Sequence, residues 1–190
     1  MTWRSREIIT PRGSNIVSAI DAARQCNLID PDSDQQALLA AYTAAAQDHI
    51  ESRTGLALGS QTVRLSASSW GDLAAIPLSP ITSVAITYVD GAGAVQTLVS
   101  DKYEMIGETS LAPAIIFKPN VSPPIIYTRS DAIRIQCVCG SDTVPPAIKS
   151  AALLLIADLF EQRAETIDAR YSVDTAFGVE ALICNYRINA

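Results

Sequence analysis

The 190-residue chain has few of the residue types that build catalytic or metal centres. It contains one histidine, His49, and four cysteines, none of them in a CxxC pair. One histidine excludes an all-histidine metal site and the HExxH zinc motif. The acidic stretch 30–34 lacks the glycine and the glutamate that a calcium loop needs at its sixth and twelfth positions. The sequence therefore predicts no metal and no cofactor.

Basic residues are also in the minority. The chain has 14 lysines and arginines against 20 acidic residues, which gives a net charge of −6. A nucleic-acid-binding surface usually needs a basic stripe, so we expect no dedicated site of that kind. The first residues lack the apolar core of a secretion signal, and no apolar run approaches the ~20 residues of a membrane span. We therefore expect synthesis in the cytoplasm and no membrane partner.

Cys137 and Cys139 form the arrangement that looks most like a reactive site. Residues two apart on a strand face the same way, so one interpretation makes both cysteines small core side chains beside Ile133 and Ile135. The alternative is a small cysteine-dependent enzyme, whose thiolate would need a nearby base or positive field. No such base is evident from the sequence. A monomeric host protein-binding module is a further alternative.

Hydrophobic periodicity indicates two kinds of structure. Residues 1–13 are polar and locally basic, and we interpret them as an N-terminal arm. Spacings of three and four predict helices, and the middle one begins with a capping box of Ser33 and Gln36. Alternation with a period of two predicts an antiparallel β-region with a hairpin. The predicted ranges are 15–28, 33–54 and 145–164 for the helices and 61–140 for the β-region.

The order of these elements favours one domain, residues 14–164. Strands and helices do not alternate as they do in βαβ units, so the fold class is α+β rather than α/β. We expect a small helical bundle with an inserted antiparallel β-domain and a C-terminal docking arm.

The last predicted helix, 145–164, contains a stretch without a polar side chain, residues 151–157. A helix needs only one apolar face to pack on a core, so this one has apolar surface to spare. Either it is the central core helix or it also packs against neighbouring copies of the chain. In the second case the inter-subunit candidates are Leu153, Leu154, Ile156 and Phe160.

Residues 165–190 are predicted to be a linker and a C-terminal arm. A polar stretch, 165–174, precedes a short apolar segment that either folds back on its own domain or inserts into a groove of a partner. A helix of ~10 residues is not stable alone in water, so we expect ordering mainly on docking. The docking candidates are Phe177, Val179, Leu182, Ile183, Tyr186 and Arg187.

Four segments, in the same order, resemble the head–tail connector (adaptor) proteins of tailed bacteriophages and gene transfer agents. They are the long helix ending in Thr-Gly (34–58), the Pro-Leu-x-Pro stretch leading into a Tyr-Val-Asp hairpin (76–98), the closing helix (144–166) and the segment ending in Tyr-Arg (177–187). The resemblance covers about residues 15–187. It does not separate a phage from a gene transfer agent.

The resemblance implies a structural protein of the virion and no enzyme. Members of that family form a ring, usually of twelve subunits, beneath the portal protein at the head–tail junction. The ring extends the DNA channel, through which DNA passes without specific binding, and offers a surface to stopper or tail proteins. The family's C-terminal segment reaches toward the portal, which implies portal docking by the six candidates above. Such a chain is made in the bacterial cytoplasm.

Overall fold

A computed structural model describes residues 3, 5–141, 143–161 and 178–188. These residues belong to two compact units. The β unit contains residues 5–13 and 59–141, and the helical unit contains residues 14–58, 143–161 and 178–187. Residues 59–141 of the β unit are thus inserted between two parts of the helical unit along the chain, whereas residues 5–13 precede both parts. The predicted α+β class is confirmed.

The β unit is built on a five-stranded antiparallel sheet with the order β1-β2-β7-β3-β4. A separate two-stranded sheet pairs β5 with β6. The strands are β1 (Ser5–Thr10), β2 (Gln61–Ala67), β3 (Ile81–Val89), β4 (Val95–Leu98), β5 (Tyr103–Ile106), β6 (Ala114–Phe117) and β7 (Ile133–Cys139).

The central strand β7 shows how alternation in the sequence sets the core of the β unit. Its odd-numbered residues, from Ile133 to Cys139, are buried, whereas Gln136 and Val138 are exposed. Leu65 and Val63 of β2 lie directly opposite Ile135 and Cys137. One face of the sheet is therefore apolar and covered, and the predicted orientation of the two cysteines is confirmed.

Gly140 directly follows β7, at a point where the backbone lies close to Gly59. Its φ of 103° is unfavourable for residues with a side chain, and an added Cβ would lie 1.9 Å from the carbonyl oxygen of Gly59. Gly59 in turn donates its N–H to the carbonyl of Ser141 at 3.2 Å. A glycine at position 140 thus allows the chain before β2 and the chain after β7 to approach closely.

The N-terminal residues assigned to an arm form an edge strand over residues 5–10. Strand β1 pairs with β2, yet all six of its residues are exposed. A strand that buries no side chain leaves no alternation in the sequence, which is why its pairing was not predicted.

The helical unit contains α1 (Ala19–Gln25), α2 (Ser33–Thr54) and α3 (Pro146–Glu161). Residues 178–183 are also helical and are followed by a 3-10 turn, Cys184–Tyr186. The predicted bounds of α2 are confirmed, and α1 is shorter than its predicted range of 15–28. Predicted residues 162–164 of the last helix and the polar stretch 165–174 lie outside the described residues.

The start of α2 corrects the predicted cap. The N-cap is Asp32, whose side chain accepts the N–H of Gln35 at 2.8 Å, while the Gln35 side chain accepts the N–H of Asp32 at 3.1 Å. The capping box is therefore one residue earlier than the pair Ser33 and Gln36. Gly55 ends the helix in the left-handed conformation, as expected.

Two polar side chains in the second half of α2 form hydrogen bonds with the backbone just before α1 and just after α2. Gln47 is fully buried, accepts the N–H of Ile16 at 3.0 Å and donates to the carbonyl of Leu58 at 2.5 Å. Glu51 accepts the N–H of Leu58 at 2.8 Å. These bonds satisfy backbone groups that would otherwise be buried without partners.

Candidate interaction surfaces

Helix α3 has apolar residues all round its middle turns, but only one stripe of them is fully buried. Its buried residues are Ile148, Ala151, Ala152 and Ile156, which follow helical spacing along a single stripe. Leu154 and Leu159 remain 38% and 36% exposed. In the described part of the chain, some of the apolar surface of this helix therefore remains exposed.

The four inter-subunit candidates on α3 do not share one environment. Leu154 is exposed, and Leu153 and Phe160 are half-buried. Ile156 has no exposed surface, because it lies one turn beyond Ala152 on the buried stripe. Ile156 is thus a core side chain of the helical unit, and its assignment to a surface between subunits is corrected.

An ion pair fixes the position of α3 beside α1. The Lys149 Nζ donates to Oδ2 of Asp21 at 2.7 Å. This hydrogen bond is the main reason that the pKa of Asp21 lies below its ordinary value, and a further bond from Ser18 acts in the same direction. Asp21 therefore marks the side of α1 that faces α3.

The C-terminal segment, residues 178–188, folds back on the helical unit. Val179 and Ile183 are 2% and 0% exposed, and they lie four residues apart on one helical face. Leu182, Tyr186 and Arg187 are half-buried. Phe177 lies outside the described residues. Of the two alternatives for this segment, the structure of the single chain shows the folded-back one.

A carboxylate ties the C-terminal segment to the end of α2. Glu180 accepts a hydrogen bond from the Arg53 Nε at 2.9 Å and forms a second ion pair with Arg187. The bond from Arg53 is the largest cause that lowers the pKa of Glu180, partly opposed by desolvation and aided by Arg187. Arg187, which was predicted to lie at a partner contact, thus pairs within its own segment.

Sequence reasoning missed a groove formed by α1, α2 and the loop between them. Its volume is about 420 Å³. Ile20 on its wall is 64% exposed, and Ile29 in the same loop is 97% exposed. Ile16, Ile20 and Ala23 have helical spacing, yet of the three only Ala23 is buried. The full lining is Ala19, Ile20, Ala23, Arg24, Leu28, Asp30, Pro31, Gln36 and Leu39.

The cysteines of β7 have the properties of core residues. Cys137 and Cys139 are 0% and 1% exposed. Burial raises the pKa of Cys137 to about 12, and Cys139 adds to the rise. The Cys139 Sγ donates to the carbonyl of Gln61 at 3.5 Å. A buried thiol held in its protonated form is a poor nucleophile, which is unfavourable for the cysteine-dependent alternative.

A search for metal ligands and membrane helices was limited to the residues that the structure describes. In that part of the chain, no three residues of the types His, Cys, Asp and Glu come together in a group that could hold a metal ion. None of its helices combines the length and the apolar character that crossing a bilayer requires.

Comparison with known proteins gives matches among solved structures. No protein-family model and no curated protein matches the chain. A chain from the virion of a native gene transfer agent particle is 26% identical, with a TM-score of 0.74 and coverage of 98% of this chain and 97% of that one. A chain from the neck of the empty particle, computed with C6 symmetry, is 24% identical, with a TM-score of 0.73 and the same coverage.

A third match is a chain from the neck of the native particle, computed with C12 symmetry. It is 25% identical with a TM-score of 0.65, and the match covers 96% of this chain and 97% of that one. The three matches extend over nearly the full length and confirm the resemblance to head–tail connector proteins. They support a structural protein of a virion neck.

Proposed function

We propose that the chain is a head–tail adaptor of a phage or a gene transfer agent, which assembles as a ring beneath the portal. The observation that carries this proposal is the similarity to a chain of the native gene transfer agent virion over 98% of the present sequence. A match of that extent includes residues of both the β unit and the helical unit, so it does not rest on one common motif.

The proposed ring has twelve copies. The neck of the native particle with a similar chain was computed with C12 symmetry. Subunits related by rotation about one axis contact each other through two different surfaces. The exposed leucines of α3, Leu154 and Leu159, provide apolar area for such a contact.

Within the particle, the ring extends the DNA channel and provides the attachment surface for stopper or tail proteins. The net charge of −6 suits a wall along which DNA moves without being held, since every phosphate neutralised by a basic side chain adds affinity. Tight, salt-sensitive binding of duplex DNA by the isolated protein at physiological salt would contradict this part of the proposal.

The C-terminal segment is the proposed contact with the portal. Leu182, Tyr186 and Arg187 retain exposed surface, whereas Val179 and Ile183 hold the segment on the helical unit. Alanine substitutions at Leu182 and Tyr186 should therefore weaken portal binding while the chain stays folded. Unchanged binding of both variants would place the portal contact elsewhere.

Negative-stain electron microscopy of the chain, alone and mixed with the portal ring of its own particle, tests the proposed function. We expect monomers or weak oligomers alone and closed rings on the portal. A tight dimer with two-fold symmetry as the sole assembled form would contradict the adaptor role. A chain that stays monomeric in sedimentation with the portal present would instead favour the protein-binding module.

A further inference from the structure

We propose that the groove between α1 and α2 receives the exposed side of α3 from an adjacent copy of this chain. In this contact Leu154 of one copy packs beside Ile20 of the next. The inference rests on the proposed ring and names the two surfaces through which its subunits meet.

The groove has the size and lining that this contact requires. Its volume of about 420 Å³ falls within the range of sites that enclose small ligands, and it can hold apolar side chains from one helix. Leu28, Leu39 and two alanines give it an apolar floor. Ile20 would lose most of its 64% exposure if a neighbour filled the groove.

The groove and the exposed side of α3 are different surfaces of one helical unit. Asp21 marks the side of α1 that faces α3, through its ion pair with Lys149. Ala19 and Ala23, which line the groove, lie about half a turn around the helix from Asp21. The groove therefore opens mainly from the side of α1 opposite Asp21, although Arg24, which also lines it, lies only about 60° from Asp21 around the helix.

This pair of surfaces is what a rotational ring needs. In a two-fold dimer the same patch meets itself, whereas in a ring one patch meets a second, different patch on the next subunit. The similar chain in a neck computed with C12 symmetry supports contacts of the second kind. A second copy of this chain is thus the occupant to which we assign the groove.

The charges near the groove bear on the orientation of the inserted helix. Arg24 is the one cation among the residues that line the groove, which also include the acidic Asp30. The described part of α3 after Lys149 carries two charged side chains, Asp158 and Glu161, both acidic. Placing this acidic end beside Arg24 would favour one orientation of the inserted helix.

Cross-linking of mixed cysteine variants tests the contact. One chain carries Ile20→Cys and another carries Leu154→Cys, both with Cys26 and Cys184 replaced by serine, and a short bis-maleimide is added to rings assembled on the portal. We expect covalent dimers when the two chains are mixed and at least tenfold fewer with either chain alone. A chain with both cysteines should give a ladder of products up to the size of the ring.

The results of this experiment distinguish failure of the present inference from failure of the proposed function. Rings seen by electron microscopy without mixed cross-links would overturn the assignment of the groove and leave the adaptor role intact. Same-site dimers, from Ile20→Cys alone or Leu154→Cys alone, would also overturn it. Failure of the unmodified chain to form rings with the portal would overturn the proposed function, and the inference with it.

A charged substitution provides a second readout with a matched control. Ile20→Asp and Leu154→Asp should each reduce the yield of portal-bound rings at least tenfold, with an unchanged circular dichroism spectrum. The control is Val95→Asp on β4, because Val95 is 63% exposed, nearly the same as Ile20 at 64%. An equal loss of rings with Val95→Asp, or no loss with Ile20→Asp, would contradict the proposed contact.

Discussion

Helices α2 and α3 differ in a way that composition alone does not suggest. The longer helix, α2, is rich in polar residues, yet seven of its residues are buried, including Gln47 and Glu51. The apolar helix α3 buries four and leaves two leucines more than one-third exposed. Seven of 22 residues are thus buried in α2 and four of 16 in α3, so the more apolar helix does not have the larger buried fraction.

The difference teaches that burial is decided by neighbours rather than by side-chain type. In helix α2 the buried polar groups bond to chain segments beside them, as Gln47 does to Leu58. Helix α3 is fully buried along one stripe, which half-buried residues flank. Its remaining apolar surface is the kind that marks a contact with another molecule.

The largest effect should come from comparing two residues on opposite sides of α3. Ile156→Ala removes a fully buried side chain and should lower the free energy of unfolding by about 2–5 kcal/mol. Leu154→Ala changes a side chain that is 38% exposed and should cost less than about 1 kcal/mol. Urea unfolding followed by circular dichroism measures both. Equal losses would show that Leu154 belongs to the core of the single chain.

The next effect tests whether the C-terminal segment belongs to the helical unit. Ile183→Ala should lower the free energy of unfolding by about 2 kcal/mol or more, because Ile183 has no exposed surface. The adjacent, exposed Cys184 is the matched control, and Cys184→Ala should leave the unfolding midpoint nearly unchanged. If Ile183→Ala also leaves the midpoint unchanged, the segment is a free arm, as the sequence had suggested.

A smaller effect should distinguish the two residues that were candidates for the cap of α2. Asp32→Ala removes the side chain that accepts the N–H of Gln35 and should cost about 1 kcal/mol. Ser33→Ala should cost less, because Ser33 is the first residue inside the helix. Thermal unfolding of the two variants shows which of the two residues caps α2. A larger loss for Ser33→Ala would restore the capping box predicted from the sequence.

The smallest effect is a pH dependence at the contact between α2 and the C-terminal segment. The pKa of Glu180 is lowered in the folded chain, chiefly by Arg53, so its ion pairs stabilise the fold above the ordinary pKa of glutamate. This contribution is lost as the pH falls through the lowered value. Glu180→Gln should therefore reduce the urea midpoint slightly at pH 7, and the difference from the unmodified chain should vanish in acid.

The control for this pH effect is Glu104→Gln on β5, which removes an exposed carboxylate of the β unit. It should not reproduce the pH-dependent difference. A difference between Glu180→Gln and the unmodified chain that persists at the lowest pH would show that the glutamate acts through packing and not through its charge.

Much of the fold could be predicted because it depends on local patterns in the sequence. The bounds of α2 follow from its periodicity and from Gly55, and the inward face of β7 follows from strict alternation. Strand β1 could not be predicted, since all of its residues are exposed and its pairing depends on β2. Of the candidate surfaces, the excess apolar area of α3 was visible in the sequence, whereas the groove beside Ile20 was not.

The sequence by itself determined three helical segments, the strands other than β1 and the excess of apolar residues, because each of these depends on side chains near one another along the chain. Tertiary structure alone decided which apolar residues are covered. Ile156 and Leu154 are two residues apart on one apolar helix, yet one is fully buried and the other is 38% exposed. The reason is physical: a helix turns by about 100° per residue, so such neighbours face nearly opposite directions, and only packing against other elements determines which direction is the core.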